Sequence, residues 1–156
     1  MRAAGTAWAG APFPQAVSSK ARDETPLAWT IFVVEPDILV RMVVAEYLRE
    51  CGFKVIEGAT AKDVRTVLEA GRQVDVIFAD VKLDGDMDGF ALAKHVREKH
   101  ARVDVILTSG TKNAANKASE LCDEDGPLEK PYQPQQVVRR IQALLERRRR
   151  GGARRS

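Results

Sequence analysis

Short apolar runs alternate with longer segments of helical period, and this alternation constrains the fold more than any other feature of the chain. The runs span residues 29–34, 53–56, 74–79 and 103–107. Runs of this kind are typical of strands buried on both faces of a parallel sheet. A fifth, shorter strand is expected near Leu128. The pattern predicts an α/β domain with three layers, in which helices cover both faces of a doubly wound, five-stranded parallel sheet.

Helix signals lie between the apolar runs. Thr60 and Asp88 are suited to cap helix N-termini, and Gly52 and Gly71 are suited to end helices. Pro134 fits the first turn of the last helix, and one more helix is expected directly after the fourth run. The spacing predicts two inward-facing apolar stripes, one of Val40, Val43, Val44, Tyr47, Leu48 and Cys51, and one of Val137, Val138, Ile141, Leu144 and Leu145.

Charge divides the chain into unequal parts. Residues 1–28 carry +1 and are rich in Ala, Gly, Pro and Ser, residues 29–145 carry −3, and residues 146–156 carry +5 from six Arg and one Glu. We therefore expect a disordered leader at 1–28, a folded domain at 29–148 and a basic tail at 149–156. The acidic body argues against a nucleic-acid-binding domain that is basic throughout.

Targeting and cysteine signals are weak. No stretch of about 18 apolar residues occurs, so we expect neither a membrane-spanning helix nor a membrane partner. The N-terminus lacks the apolar core of a signal peptide, and a cytoplasmic location is expected. Cys51 and Cys122 match neither a zinc pattern nor a disulfide framework, so both are expected to be reduced.

Polar residues follow the predicted strands. Glu35 follows the first strand, Asp80 the third, Thr108 the fourth and Lys130 the fifth. In such sheets, ligands bind at the carboxyl ends of the strands. A carboxylate can attack a phosphoryl group, Mg²⁺ on oxygen ligands can offset its charge, and an ammonium and a hydroxyl can bind its other oxygens. These residues supply each part of a site for phosphoryl transfer.

Five segments in register carry a family resemblance. They are residues 31–35 (IFVVE), 75–80 (DVIFAD), 87–93 (MDGFALA), 107–110 (LTSG) and 129–132 (EKPY). Their order and spacing resemble the receiver domain of two-component response regulators over almost all of the predicted folded part. The resemblance implies a flavodoxin-like sheet of strand order 2-1-3-4-5.

The resemblance also implies residue roles. Asp80 would accept a phosphoryl group from a histidine kinase or a histidine phosphotransfer protein, Thr108 would be the switch hydroxyl, and Lys130 would bind the phosphoryl group. The peptide bond before Pro131 would be cis. Mg²⁺ would be bound by Glu35, Asp80 and the backbone carbonyl of Lys82.

The chain departs from the family pattern at two positions. Pro36 stands where the family has a second metal-binding acid, and its ring cannot bind Mg²⁺. Asp37, which should begin the inward face of the first helix, and Asp84 are acids that could act as auxiliary ligands. Pro127 stands where the family has an aromatic residue that moves on switching.

Three functional hypotheses follow. In the first, the chain is a stand-alone receiver with weakened Mg²⁺ affinity that signals to a downstream protein, with no enzymatic activity beyond its own phosphorylation and dephosphorylation. In the second, it is a pseudo-receiver that binds partners without being phosphorylated. In the third, the arginines at 147–150 and 154–155 bind nucleic acid. The tail has no interleaved aromatic residues, and arginines also suit a helix C-terminus, so the third is disfavoured.

Partner surfaces follow from the resemblance. Leu39 and Met42 lie off the inward stripe of the first helix, which in the family borders the surface that docks the phosphodonor. Contact with kinase helices is therefore one interpretation of these residues, and chance exposure is the other. A homodimer stays open.

Overall fold

The structure, a computed structural model, describes residues 28–110 and 128–155. Residues 1–27, the helix expected after the fourth run, Cys122 and Pro127 lie outside the described residues. The described elements are, in chain order, β1 (Thr30–Val34), α1 (Ile38–Glu50), β2 (Lys54–Gly58), α2 (Ala61–Glu69), β3 (Val76–Asp80), α3 (Gly89–Lys99), β4 (Asp104–Ser109), β5 (Leu128–Glu129) and α4 (Pro134–Arg155).

The strands form one parallel sheet in the order β2-β1-β3-β4-β5, which confirms the expected fold. The register pairs Asp80 with Thr108, and Thr108 with Leu128. The carboxyl ends of β3, β4 and β5 therefore meet at one edge of the sheet. We call this the carboxyl edge and the opposite one the amino edge.

Two apolar clusters lie on opposite faces of the sheet, as a three-layer fold requires. One packs α2 and α3 against the sheet through Phe32, Val64, Ile77, Leu92 and Leu107. The other packs α1 and α4 against it through Ile31, Val33, Leu48, Ile106 and Ile141. The stripe predicted for the last helix is buried throughout.

The predicted caps are present. Thr60 and Asp63 form a capping box at the start of α2, and the Asp88 side chain accepts a hydrogen bond of 2.8 Å from the Ala91 N–H. Gly52 and Gly71 follow α1 and α2 with φ of 96° and 79°, backbone angles that favour glycine. Both helices therefore end where the sequence predicted.

The stripe predicted for α1 is wrong at two positions. Val44, Ala45 and Leu48 are buried, whereas Val43 is 57% exposed and Cys51 is exposed. Ala45, which the stripe omitted, is fully buried, so the buried face of the helix is rotated relative to the predicted stripe. Four side chains on the first part of α1 form an exposed apolar surface, which we call the α1 patch: Ile38, Leu39, Met42 and Val43.

Helix α4 continues to Arg155 through most of the segment predicted as a basic tail. Glu146 pairs with Arg149 and Arg150, each at 3.7 Å, one helical turn further along. Among the described residues, no helix is both long and apolar enough to cross a bilayer.

Candidate functional site

Lys130 is at the centre of the carboxyl edge. Its backbone N–H donates to the Ser109 carbonyl at 2.9 Å, which places it directly beyond β5. Its Nζ donates to Glu35 Oε1 at 2.7 Å and also to Asp80 Oδ2. One ammonium therefore bridges two buried carboxylates that end β3 and follow β1. The Lys130–Pro131 peptide bond is cis, as the resemblance implied.

Asp80 is the last residue of β3 and is buried. Its Oδ1 accepts a hydrogen bond of 2.9 Å from the Lys82 backbone N–H, so the loop after β3 orients the carboxylate. The neighbouring Val81 N–H donates to the Thr108 carbonyl at 2.9 Å. Thr108 is almost fully buried and pairs with Asp80 across the sheet. The structure thus brings Asp80, Thr108 and Lys130 together.

Glu35 forms hydrogen bonds through both its backbone and its side chain. Its N–H donates to the Gly58 carbonyl at 3.1 Å, and its Oε2 accepts from the Asp37 N–H at 3.1 Å. Its own carbonyl accepts from Arg41 Nη1 at 2.7 Å. Arg41 Nε also lies 3.7 Å from Glu57 of β2, so this side chain joins α1 both to Glu35 and to β2. Arg41 is not among the residues that the sequence pattern singled out, because its partners lie outside its own helix.

The charges around Lys130 affect two ionisable groups. Burial by itself lowers the pKa of Lys130, but its hydrogen bonds to Asp80 and Glu35 and their negative charges outweigh that effect, so the pKa lies above its usual 10.5. Burial and the charge of Glu35 raise the pKa of Tyr132 to about 12. The Tyr132 ring packs edge-on against Phe78, with 5.6 Å between centroids. At neutral pH Lys130 is therefore an ammonium and Tyr132 is uncharged.

The position predicted for Asp37 is wrong. Asp37 is exposed, and its Oδ1 accepts hydrogen bonds from Leu39 N–H at 2.9 Å and Val40 N–H at 3.3 Å. It is therefore the N-cap of α1, because an N-cap side chain turns back over the first helical turn and not toward the core. Asp84 is exposed in the loop after β3.

The donor set fits a divalent cation only in part. Glu35 and Asp80 supply carboxylate oxygens, the ligands that Mg²⁺ prefers, and the Lys82 carbonyl lies in the loop that follows Asp80. Pro36 is exposed and brings no ligand. Within residues 28–110 and 128–155, no group of three or more His, Cys, Asp or Glu side chains could hold a metal ion. The site has oxygen ligands of the right kind but one acid fewer than the family pattern.

Comparison with known proteins gives the family. The model of the response regulator receiver domain matches residues 31–142. This chain belongs to that family. The receiver is 30% identical over 121 residues to the transcriptional regulatory protein GltR of Pseudomonas aeruginosa, covering 76% of this chain and 49% of GltR. It is 29% identical over 117 residues to protein PetR of Rhodobacter capsulatus, covering 75% of this chain and 48% of PetR.

The receiver therefore spans about half of the length of either relative. Among solved structures, it is similar to a CheY-like response regulator receiver domain of Methanospirillum hungatei, with a TM-score of 0.71 and 20% identity. That similarity covers 80% of this chain and 99% of the other. At this identity it supports the fold alone.

The start of α3 packs directly on the backbone at the end of β3. The Gly89 N–H donates to the Val81 carbonyl at 2.9 Å. A Cβ atom at Gly89 would lie 2.6 Å from Val81 Cα and would also clash with the Asp80 carbonyl. Only a residue without a side chain allows α3 of the receiver to approach Asp80 this closely.

An apolar groove opens beside the site. It has a volume of about 510 Å³ and is lined by Leu39, Val40, Val43, Val44, Lys130, Pro131, Tyr132 and Pro134. Because Lys130 lines both the groove and the carboxylate cluster, a protein seated on the α1 patch would lie next to Asp80. Of the two residues that the sequence singled out on α1, Leu39 lines this groove, and both Leu39 and Met42 are exposed on the α1 patch.

Proposed function

We propose that this receiver accepts a phosphoryl group on Asp80 from a histidine kinase or a histidine phosphotransfer protein in a two-component phosphorelay. In that step, an Asp80 carboxylate oxygen forms a bond to phosphorus while the phosphorus–nitrogen bond of phosphohistidine breaks. The electron pair stays on the imidazole nitrogen, which takes up a proton. The observation that supports this proposal most is the contact of Lys130 with both Asp80 and Glu35.

Each residue of the cluster has a proposed task. The Lys130 ammonium would move from the carboxylates to the phosphoryl oxygens and offset their charge, which phosphoryl transfer requires more than acid–base chemistry. The Thr108 hydroxyl would donate to a second oxygen, as its position beside Asp80 in the sheet permits. The backbone N–H of Lys82, which donates to Asp80 Oδ1, would orient the carboxylate for attack.

A divalent cation has a proposed place in the same cluster. Glu35, Asp80 and the carbonyl of Lys82 would hold Mg²⁺, which offsets negative charge on the phosphoryl oxygens when bound. Because Pro36 stands in place of an acid, the affinity of the site for Mg²⁺ should be low. Asp84, which is exposed in the adjacent loop, is proposed at most as an auxiliary ligand.

We propose a stand-alone, cytoplasmic receiver whose folded domain spans residues 29–148. Its proposed output is contact with a downstream protein. No catalysis is proposed beyond self-phosphorylation from a donor and self-dephosphorylation. A homodimer stays open as a means of output. The intact mass of the protein purified from its natural source tests whether the receiver is stand-alone.

The second candidate is a pseudo-receiver that binds partners without phosphorylation. Pro36 favours it, because the missing acid removes a direct metal ligand. In this case Lys130 would serve only to neutralise the two buried carboxylates. The fold and the surfaces of the domain would be the same in both candidates.

One experiment separates the candidates. The purified protein is incubated with acetyl phosphate, with and without Mg²⁺, and its intact mass is measured. The wild type should gain one phosphoryl group in a Mg²⁺-dependent manner, and Asp80→Asn should not. Asp86→Asn is the matched control, since it removes an exposed carboxylate of the same loop that is not proposed as a metal ligand. A wild type that stays unmodified at saturating Mg²⁺ rejects the phosphoacceptor and favours the pseudo-receiver.

A further inference from the structure

The guanidinium of Arg148 lies at the amino edge of the sheet, opposite the candidate site. Its Nη1 lies 3.6 Å from Asp75 Oδ1, and its Nε lies 3.9 Å from Asp104 Oδ2. Nη1 also approaches the Asp75 carbonyl at 3.5 Å, and Nη2 donates to the Arg102 carbonyl. The guanidinium carbon is 5.8 Å from the centroid of the Trp29 ring. One side chain of α4 thus contacts residues at the starts of β1, β3 and β4.

Asp75 needs a positive partner because only 5% of its surface is exposed. A buried carboxylate destabilises the fold unless hydrogen bonds and an opposite charge compensate for its lost hydration. Its Oδ2 accepts from the Thr30 N–H at 2.8 Å, and Gln73 Nε2 lies 3.5 Å from Oδ1. Arg148 supplies the opposite charge.

The segment that contains the last helix is therefore joined to both ends of the same strand. Asp80 ends β3 and pairs with Lys130, shortly before α4 begins. Asp75 immediately precedes β3 and pairs with Arg148, near the other end of α4. The two ion pairs thus fix the segment from Lys130 to Arg148 along the full length of β3, which is about 17 Å at 3.3 Å per residue.

We infer that Arg148 is a clamp that fastens the last part of α4 to the amino edge of the sheet. The arginine-rich end is then part of the folded receiver as far as Arg148, and this arginine does not belong to a solvated tail. The two arginines that follow it differ from it, because the Arg149 and Arg150 side chains are 66% and 71% exposed and, among the described residues, form ion pairs with Glu146 of the same helix. The clamp does not depend on phosphorylation of Asp80.

The test compares two adjacent arginines. Arg148→Met and Arg149→Met are unfolded by urea at neutral pH, and both keep a good helix former at the substituted position. Arg148→Met should lower the folding equilibrium constant about 10- to 100-fold, since it leaves Asp75 buried without its cation. Arg149→Met should change it by less than about threefold, as is usual for an exposed ion pair. Equal effects of the two substitutions would overturn the clamp.

A double-mutant cycle identifies the partner. In an Asp75→Asn background, Arg148→Met should cost less than about threefold, because the charge that it compensates is already gone. Full additivity of the two substitutions would also overturn the clamp. If Arg148→Met does not fold, the comparison uses Arg148→Lys and Arg149→Lys, since lysine lacks the planar guanidinium. An Arg148→Lys protein as stable as Arg149→Lys would then reject the inference.

Discussion

The Nζ atom of Lys130 lies 2.7 Å from Oε1 of Glu35, although the two residues are 95 positions apart in the sequence. The same ammonium contacts Asp80, so three ionised groups share a net charge of −1 at the carboxyl edge. Without Lys130, two carboxylates would be buried side by side.

Lys130→Met should lower the free energy of unfolding by about 2 kcal/mol, because Glu35 and Asp80 lose their common counter-ion. The measurement is urea unfolding at pH 7. Lys82→Met is the matched control, since Lys82 is exposed in the neighbouring loop. Equal stability of the two variants would show that the bridge contributes nothing.

The effect of Lys130→Met should depend on pH. The pKa of Lys130 is raised in the folded state above its usual 10.5, so folding favours the charged form. Its contribution is fully present below the unfolded pKa and is lost as pH rises through the folded value. The stability difference between wild type and Lys130→Met should thus be constant from about pH 7 to 9 and shrink above about pH 10.5. A difference that grows with pH in that range would contradict the bridge.

Pro36→Asp should tighten Mg²⁺ binding about tenfold, because it adds one carboxylate beside Glu35 and affinity for hard cations rises with ligand charge. Isothermal titration calorimetry with Mg²⁺ measures this without any phosphodonor. Pro36→Asn separates the gain of charge from the loss of the proline ring. If both variants bind Mg²⁺ equally, the missing acid is not what limits the affinity of the site for Mg²⁺.

Gly89→Ala should destabilise the receiver by about 2 kcal/mol, because the new Cβ would press on the backbone of Asp80 and Val81. It should also slow phosphorylation of Asp80 by acetyl phosphate. Gly151→Ala is the control, since no atom of the described residues lies within 4 Å of a Cβ placed there. Thermal unfolding compares the two, and a Gly89→Ala protein as stable as wild type would contradict this packing.

Leu39→Ser combined with Met42→Ser should slow phosphotransfer from a histidine kinase of the same organism and leave phosphorylation by acetyl phosphate unchanged. Both side chains are exposed on the α1 patch, so the folding stability should stay within about 0.5 kcal/mol of wild type. If the α1 patch docks the phosphodonor, the substitutions should slow transfer from a protein donor and not from acetyl phosphate, which needs no docking surface. Unchanged rates with both donors would reject the docking role.

The strands and most helix ends were predictable because their signals are local. The Thr60 and Asp88 caps bond to N–H groups three positions away, and an apolar run of four to six residues is visible in the sequence itself. The strand order was not predictable from the apolar runs. It came from the resemblance to receiver domains, and the structure confirms it.

The orientation of side chains on α1 was predicted only in part. Helical spacing shows which residues share a helix face, but it does not show where the buried part of that face ends. The packing of the sheet and of α4 against α1 decides this. Ala45 is buried and Val43 is not, although valine is the more apolar residue. Asp37 was misplaced for a similar reason, since the sequence shows an acid but not whether it turns toward the core or over the helix end.

By itself, the sequence determined an α/β domain, the places where its strands and helices begin, and which polar residues follow each strand. Only the tertiary structure decided which charges meet. Lys130 bridges Glu35 and Asp80 at one edge of the sheet, and Arg148 reaches Asp75 at the other, 73 positions away. Such pairs depend on the order of the strands and on how α4 crosses them, because a side chain selects its partner by distance in space and not along the chain.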